Sequence, residues 1–411
     1  MANNNSSVPT IRFKGFVDAW TQRKLGDFGK ATGGTSIESE FNTSGNYKVI
    51  SIGSYSEQSV YTDQNIRADL TEKTKSRVLN KDDLTMILND KTSSGNIIGR
   101  VLLIDEDDSY VYNQRTQRIE PNHNEYEPQF LYQLLNAPDI RSKIINQAQG
   151  NTQIYVNWSA ISELDYFVPQ IPEQTAIGSF FRTLDEILAA TQRKVAGLKQ
   201  LKAAYLQQMF PQAGECVPRV RFAGYSGDWD DKKLGELGEI ITGSTPSTSD
   251  AENYAEDGMI WVTPTDIKSL TISSTAKRLS KKGESIARKV PPYSILMTCI
   301  ASIGKNTMNL VPASFNQQIN ALVPNENNDQ YFLLTQSEIW SSYMKGTAAA
   351  MTMQIVNKSE FSKMATKVPP KDEQVAIGNF FRNLDVQIET QSEKMEKLKQ
   401  LKSAYLQKMF I

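Results

Sequence analysis

Val290-Pro291-Pro292-Tyr293 comes nearest to a catalytic motif in this 411-residue chain. Methyl transfer to an adenine amino group uses Asn or Asp followed by Pro-Pro-aromatic, because the side-chain oxygen accepts a hydrogen bond from that amino group. Valine at 290 offers no oxygen, and no glycine-rich loop for a methyl donor accompanies it, so the stretch reads as a turn entering a strand. Pro138-Asp139 with Glu163-Leu164-Asp165 supplies nuclease-like carboxylates, but the lysine that usually completes such a set is missing and the second half has no equivalent. No Gly-x-x-x-x-Gly-Lys-Ser/Thr loop is present to cradle a nucleotide phosphate. His123 is the sole histidine, and Cys216 and Cys299 are the two cysteines, which argues against a zinc site and a disulfide scaffold. That usage fits a reducing cytoplasm. The expectation is a chain without catalytic, cofactor or metal sites of its own.

The informative residues are those that build the frame. Glu-Gln-x-Ala-Ile-Gly-x-Phe-Phe-Arg-x-Leu-Asp runs from Glu173 to Asp185 and returns from Glu373 to Asp385. Each copy continues to Leu-Lys-Gln-Leu-Lys-x-Ala-Tyr-Leu-Gln-x-Met-Phe, and 24 of the 43 positions from Val168 to Phe210 recur 200 residues later. Apolar side chains fall at Leu184, Leu188, Val195, Leu198, Leu201, Tyr205 and Met209. In the second copy they fall at Leu384, Ile388, Met395, Leu398, Leu401, Tyr405 and Met409. This spacing predicts a long helix with a narrow apolar seam. Pro172 suits a first turn, and Val-Pro ends the strand before each helix. At about 1.5 Å per residue each helix is on the order of 55 Å long, too long for a compact core, so the two seams should pair as a coiled coil. Phe180, Phe181, Phe380 and Phe381 suit the core or the docking of partner helices, and docking is favoured for part of each helix. Lys194, Lys199, Lys202, Lys394, Lys397, Lys399 and Lys402 read as a solvated face.

The duplication covers the whole chain. Arg12-Phe13-Lys14-Gly15-Phe16 with Trp20 returns as Arg221-Phe222-Ala223-Gly224-Tyr225 with Trp229, and Lys24-Leu25-Gly26-Asp27 returns as Lys233-Leu234-Gly235-Glu236. Between opening motif and helix lie two divergent blocks of mixed α and β character. Strands are expected at Tyr47–Ile52, Leu84–Leu88, Asn96–Ile104, Ile260–Thr263 and Ser294–Cys299, with helices at Pro128–Ala148 and Asp329–Lys345. Weak likeness persists inside the blocks, where Asn113-Gln114-Arg115-Thr116-Gln117 matches Asn316-Gln317-Gln318-Ile319-Asn320.

The predicted fold class is α+β, with two mixed α/β domains separated by two long antiparallel helices in a coiled coil, and a pseudo-two-fold internal repeat. The boundaries follow the repeat: a disordered N-terminal arm at 1–7, domains at 8–170 and 212–369, a central helix at 171–211 and a C-terminal helix at 370–411. Helix one ends just before the second opening motif, so two-fold symmetry puts the end of helix two near Val8 and makes the helices antiparallel. Such a rod matches roughly 16 base pairs of B-DNA at about 3.4 Å each and suits a ruler between two half-sites. A net charge of −1 supplies no global basic signal, so any DNA contact must rest on local charge. No apolar run approaches a membrane span.

Over essentially its full length the chain resembles the specificity subunit of type I restriction-modification systems. The two Glu-Gln-x-Ala-Ile-Gly…Leu-Asp helices with their Leu-Lys-Gln-Leu-Lys tails carry the likeness. Gly243-Ser244-Thr245-Pro246-Ser247, Ile260-Trp261-Val262-Thr263 with Asp266, and Ser302-Ile303-Gly304-Lys305 add to it. The first domain departs from this pattern at Gly34-Thr35-Ser36, which lacks the proline. The resemblance implies two target recognition domains, each reading half of a split site in double-stranded DNA, and no catalysis in this subunit. Two modification (methyltransferase) subunits and restriction (motor nuclease) subunits would assemble on it, bringing S-adenosylmethionine, ATP and Mg. No membrane role is implied. A self-contained DNA adenine methyltransferase with a degenerate motif is the alternative.

Side chains that reach base edges and phosphates are polar and sit on loops. The candidates are Thr35, Lys91, Ser93, Ser94, Asn96, Arg115 and Gln117 in the first half. In the second they are Thr245, Ser247, Thr263, Thr265, Lys305, Gln317, Gln318 and Asn320. For helix pairing or partner binding they are Phe180, Phe181, Leu184, Leu198, Leu201, Tyr205 and Met209, with Phe380, Phe381, Leu384, Leu398, Leu401, Tyr405 and Met409.

Overall fold

Four side chains in a row, Leu84, Thr85, Met86 and Ile87, are all buried, which marks this strand as covered on both faces. It lies inside an antiparallel sheet ordered Gly29–Gly33, Thr116–Pro121, Leu84–Ile87, Val101–Leu103. A second sheet holds Arg67–Ala68, Tyr47–Ile50 and Tyr110–Tyr112, the last pair parallel. The same plan recurs in the second half. Ile295–Thr298, again fully buried, sits between Ile319–Pro324 and Asn306–Asn309, with Gly238–Thr242 outside. Its companion sheet pairs Met259–Val262 with Ala313–Phe315 in parallel. The computed structural model describes residues 8–349 and 355–411, and the arm expected at 1–7 lies outside the described residues. The chain divides into two units, Met1–Gln192 with Glu393–Ile411, and Arg193–Ser392.

Two local expectations change. The helix expected over Pro128–Ala148 is two helices, Pro128–Asn136 and Pro138–Ile145, because Pro138 forces Ala137 into an extended conformation at ψ 135°. In the second unit no proline interrupts the equivalent stretch, and Gln330–Ala349 is continuous. The strand expected over Asn96–Ile104 is confined to Val101–Leu103, and residues 91–100 form a loop. Pro291–Ser294 is the turn between the strands Lys289–Val290 and Ile295–Thr298, with Val290 buried.

The long helices span Ile171–Gln208 and Lys371–Lys408. In the first unit Phe180 meets Tyr405 edge-on at 5.1 Å and Phe181 stacks on Phe410 at 5.8 Å, while Lys402 pairs with Asp185. Numbers rise on one helix as they fall on the other, so the packed segments are antiparallel. In the second unit Tyr205 meets Phe380 at 4.9 Å and Lys202 pairs with Asp385. Phe181 and Phe381 are therefore core residues that hold helix to helix, not docking residues.

The seam also shifts from the expected one. Buried and half-buried positions run Phe181, Leu184, Leu188, Thr191, Val195, Leu198, Lys202, Tyr205, Met209, alternating steps of three and four. Lys202 occupies the seam, whereas Leu201 and Leu401 are 43% and 44% exposed. Lys202 and Lys402 are thus removed from the solvated face.

The opening motifs lock onto the helix starts. Arg12 donates through Nε and Nη2 to both carboxylate oxygens of buried Glu173, at 2.6 and 2.7 Å, and Trp20 Nε1 adds a bond at 3.2 Å. Arg221 makes the same fork on buried Glu373 at 2.7 and 2.7 Å. The neighbouring Gln174 and Gln374 donate to the Pro169 and Pro369 carbonyls and accept from the Glu127 and Asp329 N–H. No helix among the described residues is long and apolar enough to cross a membrane.

Candidate nucleic-acid interface

In the second unit four loops leave the strand ends together. Ser244 N–H donates to the Phe315 carbonyl, Asn316 N–H to Val262, and Cys299 N–H to Gln318, so 243–247, 263–266, 299–305 and 316–318 are tied into one group. Side-chain contacts extend the network. The Thr245 hydroxyl donates to Gln317 Oε1, Thr263 Oγ1 donates to Asp266 at 2.5 Å, and Thr263 and Thr265 hydroxyls lie 2.8 Å apart. Lys305 Nζ donates to the Pro264 carbonyl at 3.0 Å, which leaves its other two protons for an anion. Thr245, Ser247, Thr265, Lys305 and Gln317 are exposed, while Thr263 and Gln318 are half-buried.

Two candidates do not reach the surface. Asn320 is buried, accepting from Thr242 Oγ1 at 2.6 Å and donating to Cys299 Sγ at 3.2 Å. Its repeat partner Gln117 is also buried, and turning its amide end for end lets the oxygen accept from the Thr32 and Gly33 N–H at 2.9 and 3.2 Å. Both sit on a central strand opposite the end of the outer strand, Gln117 against Gly33 and Asn320 against Thr242. Their hydrogen-bonding capacity closes the sheet, so neither is available to a base edge.

In the first unit Thr35, Lys91, Ser93, Ser94, Asn96 and Arg115 are exposed. The Gly34 N–H donates to the Thr116 carbonyl and the Leu88 N–H to Arg115, which brings the loops at 34–36, 88–97 and 113–116 together. Arg115 sits at φ +68°, a conformation costly for a non-glycine residue and maintained by the strand that follows.

One basic residue escaped the sequence reading. Ile87 N–H donates to the Arg100 carbonyl and Gly99 N–H returns to Ile87, just as Thr298 N–H donates to Lys305 and Gly304 N–H returns to Thr298. Gly99 and Gly304 have φ of +69° and +82°. Arg100 is therefore the counterpart of Lys305, and the signal was Ile-Gly-Arg at 98–100 against Ile-Gly-Lys at 303–305. Burial pulls the Arg100 guanidinium down from its ordinary value and pushes buried Arg141 down to about 10, with the like charge of Arg100 contributing to the second shift. Neither forms an ion pair among the described residues.

The comparisons with known proteins are uniform. The family described as type I restriction modification DNA specificity domain matches residues 18–200 and again 226–400, once per half. The chain belongs to that family. The HindI specificity subunit of Haemophilus influenzae is 26% identical over 86% of this chain and 90% of its own length. The MjaIX specificity subunit of Methanocaldococcus jannaschii is 27% identical over 45% of this chain and 44% of its own. The S subunit from M. genitalium shares the fold, with a TM-score of 0.69, 16% identity and coverage of 98% and 99% of the two chains. A chain from a structure of type I R-M complex assembly matches at TM-score 0.53, with 18% identity and coverage of 95% and 97%. The function of the family is DNA sequence specificity in type I restriction-modification, and a self-contained methyltransferase is not favoured.

Proposed function

We propose that this specificity subunit reads a bipartite site in double-stranded DNA, with residues 8–170 and 212–369 acting as the two recognition domains. The observation that carries the reading is the loop group of the second unit, where Thr245, Gln317, Thr263, Thr265 and Lys305 are linked and mostly exposed. Amide and hydroxyl groups on such loops match base edges, and Lys305 matches a phosphate. Thr35, Lys91, Ser93, Ser94, Asn96, Arg115 and Arg100 form the corresponding set in the first domain, and Ser247 and Gln318 complete the second. The different loop residues of the two units support two different half-sites. The subunit also carries two modification subunits, one for each copy of the repeat, and restriction subunits beyond them, all in the cytoplasm. Exposed Leu201 and Leu401, displaced from the seam at equivalent positions, are the apolar contacts offered to the two modification subunits.

The test is Lys305→Ala in the assembled complex, with affinity for its own duplex measured across a salt series. Loss of one phosphate contact weakens binding and reduces the slope of log K against log salt by about one. An unchanged slope removes Lys305 from the interface.

A further inference from the structure

We infer that Arg141 is a positioning residue for base reading, holding the loop 91–97 in the single conformation that reads one half-site. The inference rests on the DNA-reading function proposed above. The loop is an addition to the common plan. Its closing bond joins Gly99 to Ile87, twelve positions apart, whereas the matching bond in the second unit joins Gly304 to Thr298, six positions apart. Loops that gain six residues ordinarily gain freedom, yet this one is fastened from beneath at both ends.

Asp90, buried at the start, accepts from Thr92 N–H and Oγ1 at 2.9 and 2.9 Å and from Ile97 N–H at 3.1 Å. Arg141, buried on the helix Pro138–Ile145, donates Nε to the Ile98 carbonyl at 2.8 Å, and Nη2 to Gly95 and Asn96 at 2.7 and 2.9 Å. One guanidinium thus holds the carbonyls of Gly95 and Asn96 in the loop and of Ile98 just after it, and Arg100 Nε adds a longer bond to Asn96 at 3.3 Å. In the second unit the shorter loop accepts on its Gly304 carbonyl from a hydroxyl of the equivalent helix, Ser341. The fork of Arg141 fits this task better than an ammonium would, because its donors are planar and fixed. Above it Lys91, Ser93, Ser94 and Asn96 face solvent, and Asn96 is steadied by Glu57 at 2.8 Å. A loop ordered before binding loses less entropy on binding, and its polar groups discriminate between bases by geometry.

The experiment selects duplexes from a randomised library with the assembled complex carrying wild-type chain, Arg141→Lys, Lys91→Ala with Asn96→Ala, or Gln317→Ala. Gln317→Ala identifies the block read by the second domain. Arg141→Lys is expected to lower base discrimination about tenfold at positions of the other block only. Limited trypsin digestion after Lys91 is expected to accelerate at the same time, as two of the three bonds from residue 141 are lost while those of Asp90 stay. Equal loss in both blocks, or no loss in either, overturns the inference. If Arg141→Lys does not fold, the exposed Lys91→Ala with Asn96→Ala variant decides, and an unaltered first block overturns it. A wild-type complex that selects no sequence fails the DNA-reading function instead.

Discussion

Lys202 of the first long helix donates to Asp385 of the second at 2.7 Å, and the repeat returns the relationship as Lys402 on Asp185 at 2.6 Å. Each helix therefore supplies the acid near its start and the base near its end. The arrangement explains how a lysine occupies an apolar seam: its stem packs along the helices while its ammonium meets a carboxylate already fixed by other bonds. Tyr331 OH donates to Asp385 at 3.0 Å and Gln133 Nε2 to Asp185 at 2.8 Å, so each aspartate also ties its long helix to the globule of its own unit.

Removing the Lys202 ammonium leaves Asp385 and Glu338 facing each other without compensation. Lys202→Ala should cost about 3 kcal/mol and the more exposed Lys402→Ala about 1 kcal/mol, read from thermal and denaturant unfolding. Burial alone would lower the Lys202 value, but the two carboxylates outweigh it and the net shift is upward from 10.5. A raised lysine contributes stability that is complete below pH about 10.5 and is lost as pH rises through the folded value. The wild type should lose melting temperature in that alkaline range more steeply than Lys202→Met.

Two glycines of the first long helix should respond oppositely to alanine. A Cβ on Gly178 would stand 2.4 Å from Glu127 Oε2 and 3.0 Å from Phe130 N, the capped start of the next helix of its globule. Gly378 stands the same way against Asp329 and Phe332. Gly178→Ala is expected to destabilise by about 1–3 kcal/mol. Gly197 has nothing within 4 Å, and Gly197→Ala should stabilise by up to about 1 kcal/mol. Unfolding curves of the two single variants make the comparison.

The two thiols should differ sharply. Cys216 is exposed, whereas Cys299 is buried beside Asn320, and burial pushes its thiol up to about 11 against the hydrogen bonds from Asn320. A disulfide reagent at pH 8 should titrate one thiol rapidly in the native protein and the second only on unfolding. The raised value means that the Cys299 contribution to stability is complete below pH about 9 and lost as pH rises through about 11.

The frame was more legible in sequence than the interface. A helical repeat declares its length and partner through spacing, its direction follows from the two-fold repeat, and Leu184, Leu198 and Tyr205 fell where the spacing put them. Its phase did not declare itself between Leu198 and Tyr205, because the leucine at 201 looks like a seam residue. Lys202 takes the position only through a carboxylate of the other helix, which no local pattern reveals. Gln117 and Asn320 have the chemistry of base readers, and their burial depends on a strand far away in sequence. Arg100 was hidden by the six-residue lengthening of the loop before it, which breaks the alignment with Lys305. The break at Ala137 was readable from Pro138, since proline bars the preceding residue from continuing a helix.

The central proposal is that two recognition domains read two separate stretches of DNA. The direct measurement is sequence selection from a randomised duplex library by the assembled complex, repeated with Thr245→Ala and Gln317→Ala in the second domain. Two short defined blocks should emerge with an undefined spacer of constant length between them, and these substitutions should change one block while leaving the other intact. A single uninterrupted block, or substitutions in one domain that alter both blocks, would contradict it.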